Sequence, residues 1–209
     1  MLRGIAWLGH ASFEVRDKAR RIYIDPWKLS NPQPADLVLV THGHRDHLSP
    51  EDLARVCSQD TTVVCPQGCE AQVADLECQV RTVKPGETLE VLGYPMEVVY
   101  SYNTNKPNHP RGDQHVGYVI EVGGRRIYHA GDTDLIPEMA DIRCDVALLP
   151  IGGTYTMDAD EGLEAIARIR PKVVVPMHWG DIVGGPEDAE RVRDGAPEGV
   201  EVAILTAGS

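Results

Sequence analysis

THGHRDHLSP, Thr41 to Pro50, places three histidines and one aspartate within the six residues from His42 to His47. A lone histidine reads as a satisfied polar side chain, but four donors this close call for a metal. His42 and His44 stand two apart, so an extended or turning backbone can face both toward one ion. Asp46 and His47 lie further round the loop and can serve a neighbouring ion. Imidazole and carboxylate donors suit Zn²⁺, with Mn²⁺ or Fe²⁺ as alternatives. The apolar run DLVLV before Thr41 reads as a buried strand. After the donors, Ser49 and Pro50 read as the N-cap and first position of a helix. The donors therefore occupy a loop between a buried strand and a helix start, a usual place for function on α/β scaffolds.

The rest of the chain alternates strands with helices. GIAWLG, SFEVR and RRIYID read as successive strands, as do ETLEVL, MEVVYSY, HVGYVIEV and RRIYHA, with Gly123-Gly124 as a hairpin turn. TTVVCP, CDVALLP, KVVVPMHW and VEVAILTA add further strands. QGCEAQVADL, ADEGLEAIARIR and PEDAERVRD read as helices, the second capped by Asp158 with Glu161 completing a capping box. More donors sit at strand ends. Asp132 follows RRIYHA, after a glycine that lets backbone approach an ion, and His178 follows KVVVP. The polar segment NTNKPNHPRGDQ, residues 103–114, is long for a hairpin connection, which hints at function.

The 209 residues suit a single domain spanning 1–209. No apolar run approaches the ~20 residues that span a bilayer, and the N-terminus lacks a signal-peptide pattern, so a cytoplasmic protein with no membrane partner is expected. A net charge of -12 disfavours a broad electrostatic grip on nucleic acid. Bound divalent ions can still reverse the field locally for a small anionic substrate. Four of the five cysteines fall between Cys57 and Cys78, but no CxxC occurs, so buried or free thiols are favoured over a second metal site.

H-x-H-x-D-H, then Gly-Asp-Thr at 131–133, then the late His178 resembles the metallo-β-lactamase-fold hydrolase superfamily. WLGHASFEV, YIDP, LPIGGTYTMD and PMHWGD look like its lactonase-like and uncharacterised metal-dependent hydrolase branch, and the likeness covers essentially the whole chain. It implies an α/β fold, a four-layer αββα sandwich, holding two divalent ions, with zinc favoured. It implies that His42 and His44 ligate one ion, that Asp46, His47 and His178 ligate the other, and that Asp132 bridges them. Asp25 would hold a ligand histidine from behind, and His10 and His129 are candidates for similar support. One position departs from the family: Asn103 stands where a third histidine for the first ion is expected. His109 in the polar loop is favoured to replace it, ahead of His115, whose direction is set by its strand, and of Asn103 itself.

These residues point to a metal-dependent hydrolase. Activated water would attack a small ester, lactone or phosphoester, with Asp46 orienting the nucleophile or carrying its proton. A nuclease or phosphodiesterase acting on nucleic acid is the first alternative, and a redox or non-hydrolytic metal-binding protein on the same fold the second. Lys106, Arg111, Thr154 and Tyr155 are candidate substrate contacts, though ordinary exposed loop roles are favoured for them. A small-molecule substrate is the expected partner, with homo-oligomerisation left open.

Overall fold

The alternation of apolar residues along the strands decides the layers. In β4 (Leu37–Leu39) and β5 (Thr62–Pro66), Leu37, Leu39 and Val64 face one way and Val38, Val63 and Cys65 the other. Strands buried on both faces need cover on both faces. The first set packs into a core shared with Tyr118, Ile120, Leu148 and Val175 of a second sheet. The other set packs under α1 (Pro50–Val56), against Leu53 and Val56. The second sheet repeats the scheme: Ala147, Leu149 and Val174 meet Ile166 of α3 (Ala159–Ile169) and Val192 of α4 (Pro186–Gly195). The result is the αββα sandwich that the sequence implied. The computed structural model describes residues 1–208.

The first sheet runs β1 (Ile5–Gly9), β2 (Ser12–Asp17), β3 (Arg20–Ile24), β4, β5 and β6 (Gln79–Val83) in that order. The second contains β7 (Thr88–Val91), β8 (Tyr94–Tyr100), β9 (Val116–Val122), β10 (Arg125–His129), β11 (Val146–Pro150), β12 (Val173–Met177) and β13 (Glu201–Val202). Each sheet begins with antiparallel hairpins and becomes parallel, from β3 in one and from β10 in the other. The carboxyl ends of these parallel strands gather the candidate ligands, the usual position for sites on α/β sheets.

Three elements differ from their sequence reading. The helix expected over residues 67–76 shrinks to one turn, α2 (Glu70–Val73), whose Cys69 N-cap makes no side-chain cap bond. β6 escapes notice because Gln79, Val80, Arg81 and Thr82 are all exposed on a sheet edge, so no apolar periodicity marks it. The last strand covers only two residues. The helix starts hold: Ser49 accepts from the Asp52 N–H, and Asp158 and Glu161 close a capping box. Gly131 is required by local packing. It has φ +64, and a Cβ there would stand 2.8 Å from the Val116 carbonyl oxygen and 3.1 Å from Thr41 Cβ. Only glycine lets this turn pass so close to the neighbouring strand ends.

The cysteines stay thiols. Burial pushes Cys57, Cys65 and Cys144 up to about 12 and Cys69 up to about 11. No group of potential metal donors among the described residues includes a cysteine.

Candidate metal centre

Three strand-end residues hold backbone in the left-handed region: His10 (φ 50°), Asp25 (φ 47°) and His178 (φ 58°). Non-glycine residues adopt it at a cost that surrounding contacts must offset, and such positions cluster at functional sites. Here the turns bend each side chain inward from the ends of β1, β3 and β12.

Asp25 is fully buried and anchors the first donors. Its Oδ1 accepts from the Thr41 backbone N–H (2.7 Å), and its Oδ2 from the Thr41 hydroxyl (2.6 Å). The same Oδ2 lies 2.7 Å from His47 Nδ1. A carboxylate only accepts, so His47 Nδ1 carries a hydrogen, and in the neutral imidazole its Nε2 presents a lone pair. Because the Thr41 hydroxyl donates to Asp25, it accepts from His42 Nδ1 at 3.0 Å. His42 Nε2 is thus also a lone pair.

Asn103 completes the third histidine rather than replacing it. Its Nδ2 donates to Asp134 Oδ1 (3.0 Å) and to the Tyr155 carbonyl (2.9 Å), which fixes the amide orientation. Asn103 Oδ1 therefore accepts, from the His109 backbone N–H and from His109 Nδ1, each at 3.0 Å. His109 Nε2 is left as the lone pair, 3.2 Å from His44 Nδ1 and 3.4 Å from Asp132 Oδ2. His44 Nδ1 is also 3.0 Å from His42 Nε2. Three imidazole nitrogens converge, two with lone pairs set by their outer hydrogen bonds. We predict that Asn103→Leu weakens metal binding ~10- to 100-fold, the range for removing a ligand's orienting partner, with the fold retained. Chelator competition would measure it, and unchanged affinity would refute the role.

The second group surrounds Asp132. Its Oδ1 is 3.2 Å from His47 Nε2 and its Oδ2 3.1 Å from His178 Nε2. Yet His47 Nε2, His178 Nε2 and Asp132 Oδ1 are all buried without a hydrogen-bond partner. Buried polar atoms are rarely left so, and an unplaced ion is one explanation for such gaps. Donor atoms of His10, Asp46, His47 and His178 lie within 4.8 Å of one another, as do those of His42, His109 and His115. A third such set, His42, His47 and Asp132, joins the two. The donor chemistry fits divalent cations of the zinc, manganese and iron type.

Electrostatics agree with that fit. Burial opposes a proton on His47, but Asp132 and Asp25 outweigh it and raise its pKa well above the usual histidine value. Burial would raise Asp132, but His178 and His47 hold it well below the usual carboxylate range. Without an ion the carboxylates call for a proton; a divalent cation supplies that charge instead. Burial lowers His10, His42, His109 and His129, and pushes His115 down to about 4 from 6.5. A group depressed on folding stabilises the fold above its unfolded pKa and loses that contribution as pH falls through its folded one. Five histidines thus oppose acid, against His47 alone with the reverse sign. The metal-free protein should lose thermal stability as pH drops from 6.5 toward 4, with metal affinity falling in parallel. A melting temperature that rises over that interval would contradict this account.

The remaining sequence candidates fall as follows. His10 stands beside the candidate ligands, with Nε2 3.0 Å from Asp46 Oδ2 and its ring 3.8 Å from that of His178. His115 joins the first group alongside His109, its ring 4.7 Å from His42, so the structure brings both alternatives in. His129 serves backbone instead of a ligand side chain: Nε2 meets the Ala11 carbonyl at 2.8 Å and Nδ1 accepts from the Gly131 N–H. It braces the turn that carries Asp132. Lys106 is bound to buried Asp134 at 2.5 Å, and Arg111 to Glu138 at 3.0 Å, so neither is free for substrate. Thr41 and Asp134 went unnoticed in the sequence. Only Thr41's place directly before the motif hinted at a role.

Residues 4–178 match a family profile described as a beta-lactamase superfamily domain. A UPF0173 metal-dependent hydrolase from Thermoplasma acidophilum is 35% identical over 202 residues, covering 90% of this chain and 88% of that protein. A crystal structure from Parabacteroides distasonis superposes with a TM-score of 0.87 at 30% identity, covering 97% of this chain and 93% of the other. A metallo hydrolase from Ignicoccus hospitalis gives 0.79 at 27% identity, over 98% and 95%.

Proposed function

This chain belongs to the beta-lactamase superfamily domain family, alongside metal-dependent hydrolases, and from that membership we propose that it hydrolyses a small ester, lactone or phosphoester. The observation that carries the reading is the pair of donor groups joined at Asp132, with buried nitrogens and an oxygen facing one another unpaired. In this proposal His42, His44 and His109 hold one divalent ion, preferably zinc. His47, His178 and Asp46 would hold a second, with Asp132 standing between the two groups. Bound there, such ions supply Lewis acidity, acidifying water and polarising the substrate's acyl or phosphoryl oxygen.

The chain's own groups do the rest. Asp25, Thr41 and Asn103 hold the histidines in the tautomers that aim lone pairs inward. Asp46 is 24% exposed, whereas Asp25 and Asp132 are buried, so Asp46 is the carboxylate that incoming water can reach. It orients that water and accepts its proton. The acidic chain argues against nucleic acid as substrate. The test is a screen of zinc- and manganese-loaded protein with esters, lactones, phosphodiesters and single-stranded nucleic acid. Turnover of a small ester, lactone or phosphoester supports the proposal, and turnover of nucleic acid alone refutes it.

A further inference from the structure

The chain has three tryptophans, and all three line one cavity of about 500 Å³. Trp7 comes from β1, Trp27 from the turn after β3 and Trp179 from the turn after β12. His10 lies in the same wall, and Ile204 and Leu205 close it from the C-terminal segment. A volume near 500 Å³ falls in the range of small-molecule sites. The cavity borders the candidate metal centre through His10. Trp179 follows His178 in sequence, Trp27 lies two residues beyond Asp25, and His10 reaches Asp46 on its other side.

Two of the wall's three indole N–H groups are already engaged. The indole N–H of Trp7 donates to the His10 carbonyl at 2.8 Å, and that of Trp179 to the Pro176 carbonyl at 3.0 Å. What they present is ring surface, with the two rings stacked at 5.2 Å. Lys28 and Asp181 neutralise each other at 2.7 Å, and the Lys28 ammonium also stands 4.1 Å from the Trp27 ring centre. An anionic group entering here would meet no free cation and would have to give up its hydration. An apolar group would gain contact with three aromatic side chains, which carry large burial energies.

We propose that this cavity receives the uncharged apolar arm, an alkyl chain or aromatic ring, of an ester or lactone whose reacting carbonyl lies at the metal centre. The assignment rests on the hydrolase reading and narrows it away from phosphoesters. Trp27, Trp179 and Leu205 determine specificity by contact with the non-reacting part of the substrate, and the expected substrate is a lactone or ester with a substantial hydrocarbon substituent.

Two readouts test this on the metal-loaded protein. The first is binding of N-phenyl-1-naphthylamine, an uncharged probe that brightens in apolar sites and accepts energy from nearby indoles. It should bind saturably to wild type. Trp27→Ala and Trp179→Ala should each weaken binding about 10-fold, the scale of one lost aromatic contact. Leu205→Trp, which fills the cavity without removing an indole, should abolish binding, and melting curves should show that the variants fold. The second readout is KM across γ-lactones of increasing alkyl chain length. For wild type it should fall roughly three- to fourfold per methylene, and the trend should flatten in Leu205→Trp. Probe binding unchanged in all three variants, or KM independent of chain length, overturns the cavity assignment even if lactones are hydrolysed. Probe binding lost in the variants while no ester or lactone is turned over overturns the hydrolase reading instead.

Discussion

On the two-ion proposal, Asp132→Ala is expected to reduce metal content from about two ions per chain to one or fewer, with activity falling at least ~1000-fold. No other side chain stands within ion-pair distance of so many candidate ligands: His47 at 3.2 Å, His178 at 3.1 Å and His109 at 3.4 Å. Its loss would leave these imidazoles facing one another with no negative charge between them. It also removes the donor that links the two groups, since Asp132 shares a set with His42 and His47. Removing one member of a buried charged cluster costs ~3–5 kcal/mol, so the alanine variant alone does not separate metal loss from unfolding. Asp132→Asn keeps the volume and one oxygen while deleting the charge, and controls for that. Elemental analysis of both variants, purified beside wild type, decides the matter. Two ions retained in each would end the bridging assignment.

The motif was legible because its four donors are contiguous, so no knowledge of the fold was needed to bring them together. The sandwich was legible only through the family resemblance, whereas the buried strands themselves were legible from their apolar runs, as at Leu37–Leu39 and Val146–Pro150. What stayed hidden depends on chain paths. Asn103 looked like a failed ligand because its partner Asp134 is 31 residues away and His109 reaches the centre only by the course of the loop. The pairing of His129 with backbone on both nitrogens could not be read from a strand-end position that resembles those of the candidate donors. β6 was invisible for a different reason: an edge strand with four exposed residues carries no hydrophobic signal at all. The tryptophan cavity was out of reach too, because a strand, two distant turns and the C-terminal segment assemble it.

Asp46→Asn should lower kcat ~100- to 10,000-fold, the range for a positioned general base, with KM little changed. Asparagine preserves shape but cannot take a proton. Because Asp46 is also a candidate ligand, the assay is run at saturating zinc with metal content measured alongside, so a vacant site is not mistaken for a missing base. A kcat within about threefold of wild type, with full metal content, would remove Asp46 from the chemistry. The pH profile adds a check through His10. Burial raises the Asp46 pKa, but the hydrogen bond from His10 at 3.0 Å and the nearby His47 more than reverse it, leaving it below the usual carboxylate value. His10→Phe deletes that hydrogen bond, so the Asp46 pKa must rise. Protonated Asp46 cannot accept a proton from water, so the acid limb of kcat should move to higher pH in His10→Phe and vanish with the activity in Asp46→Asn. A purely structural His10 would lower stability and leave the position of that limb unchanged, so the direction of its movement separates the two roles.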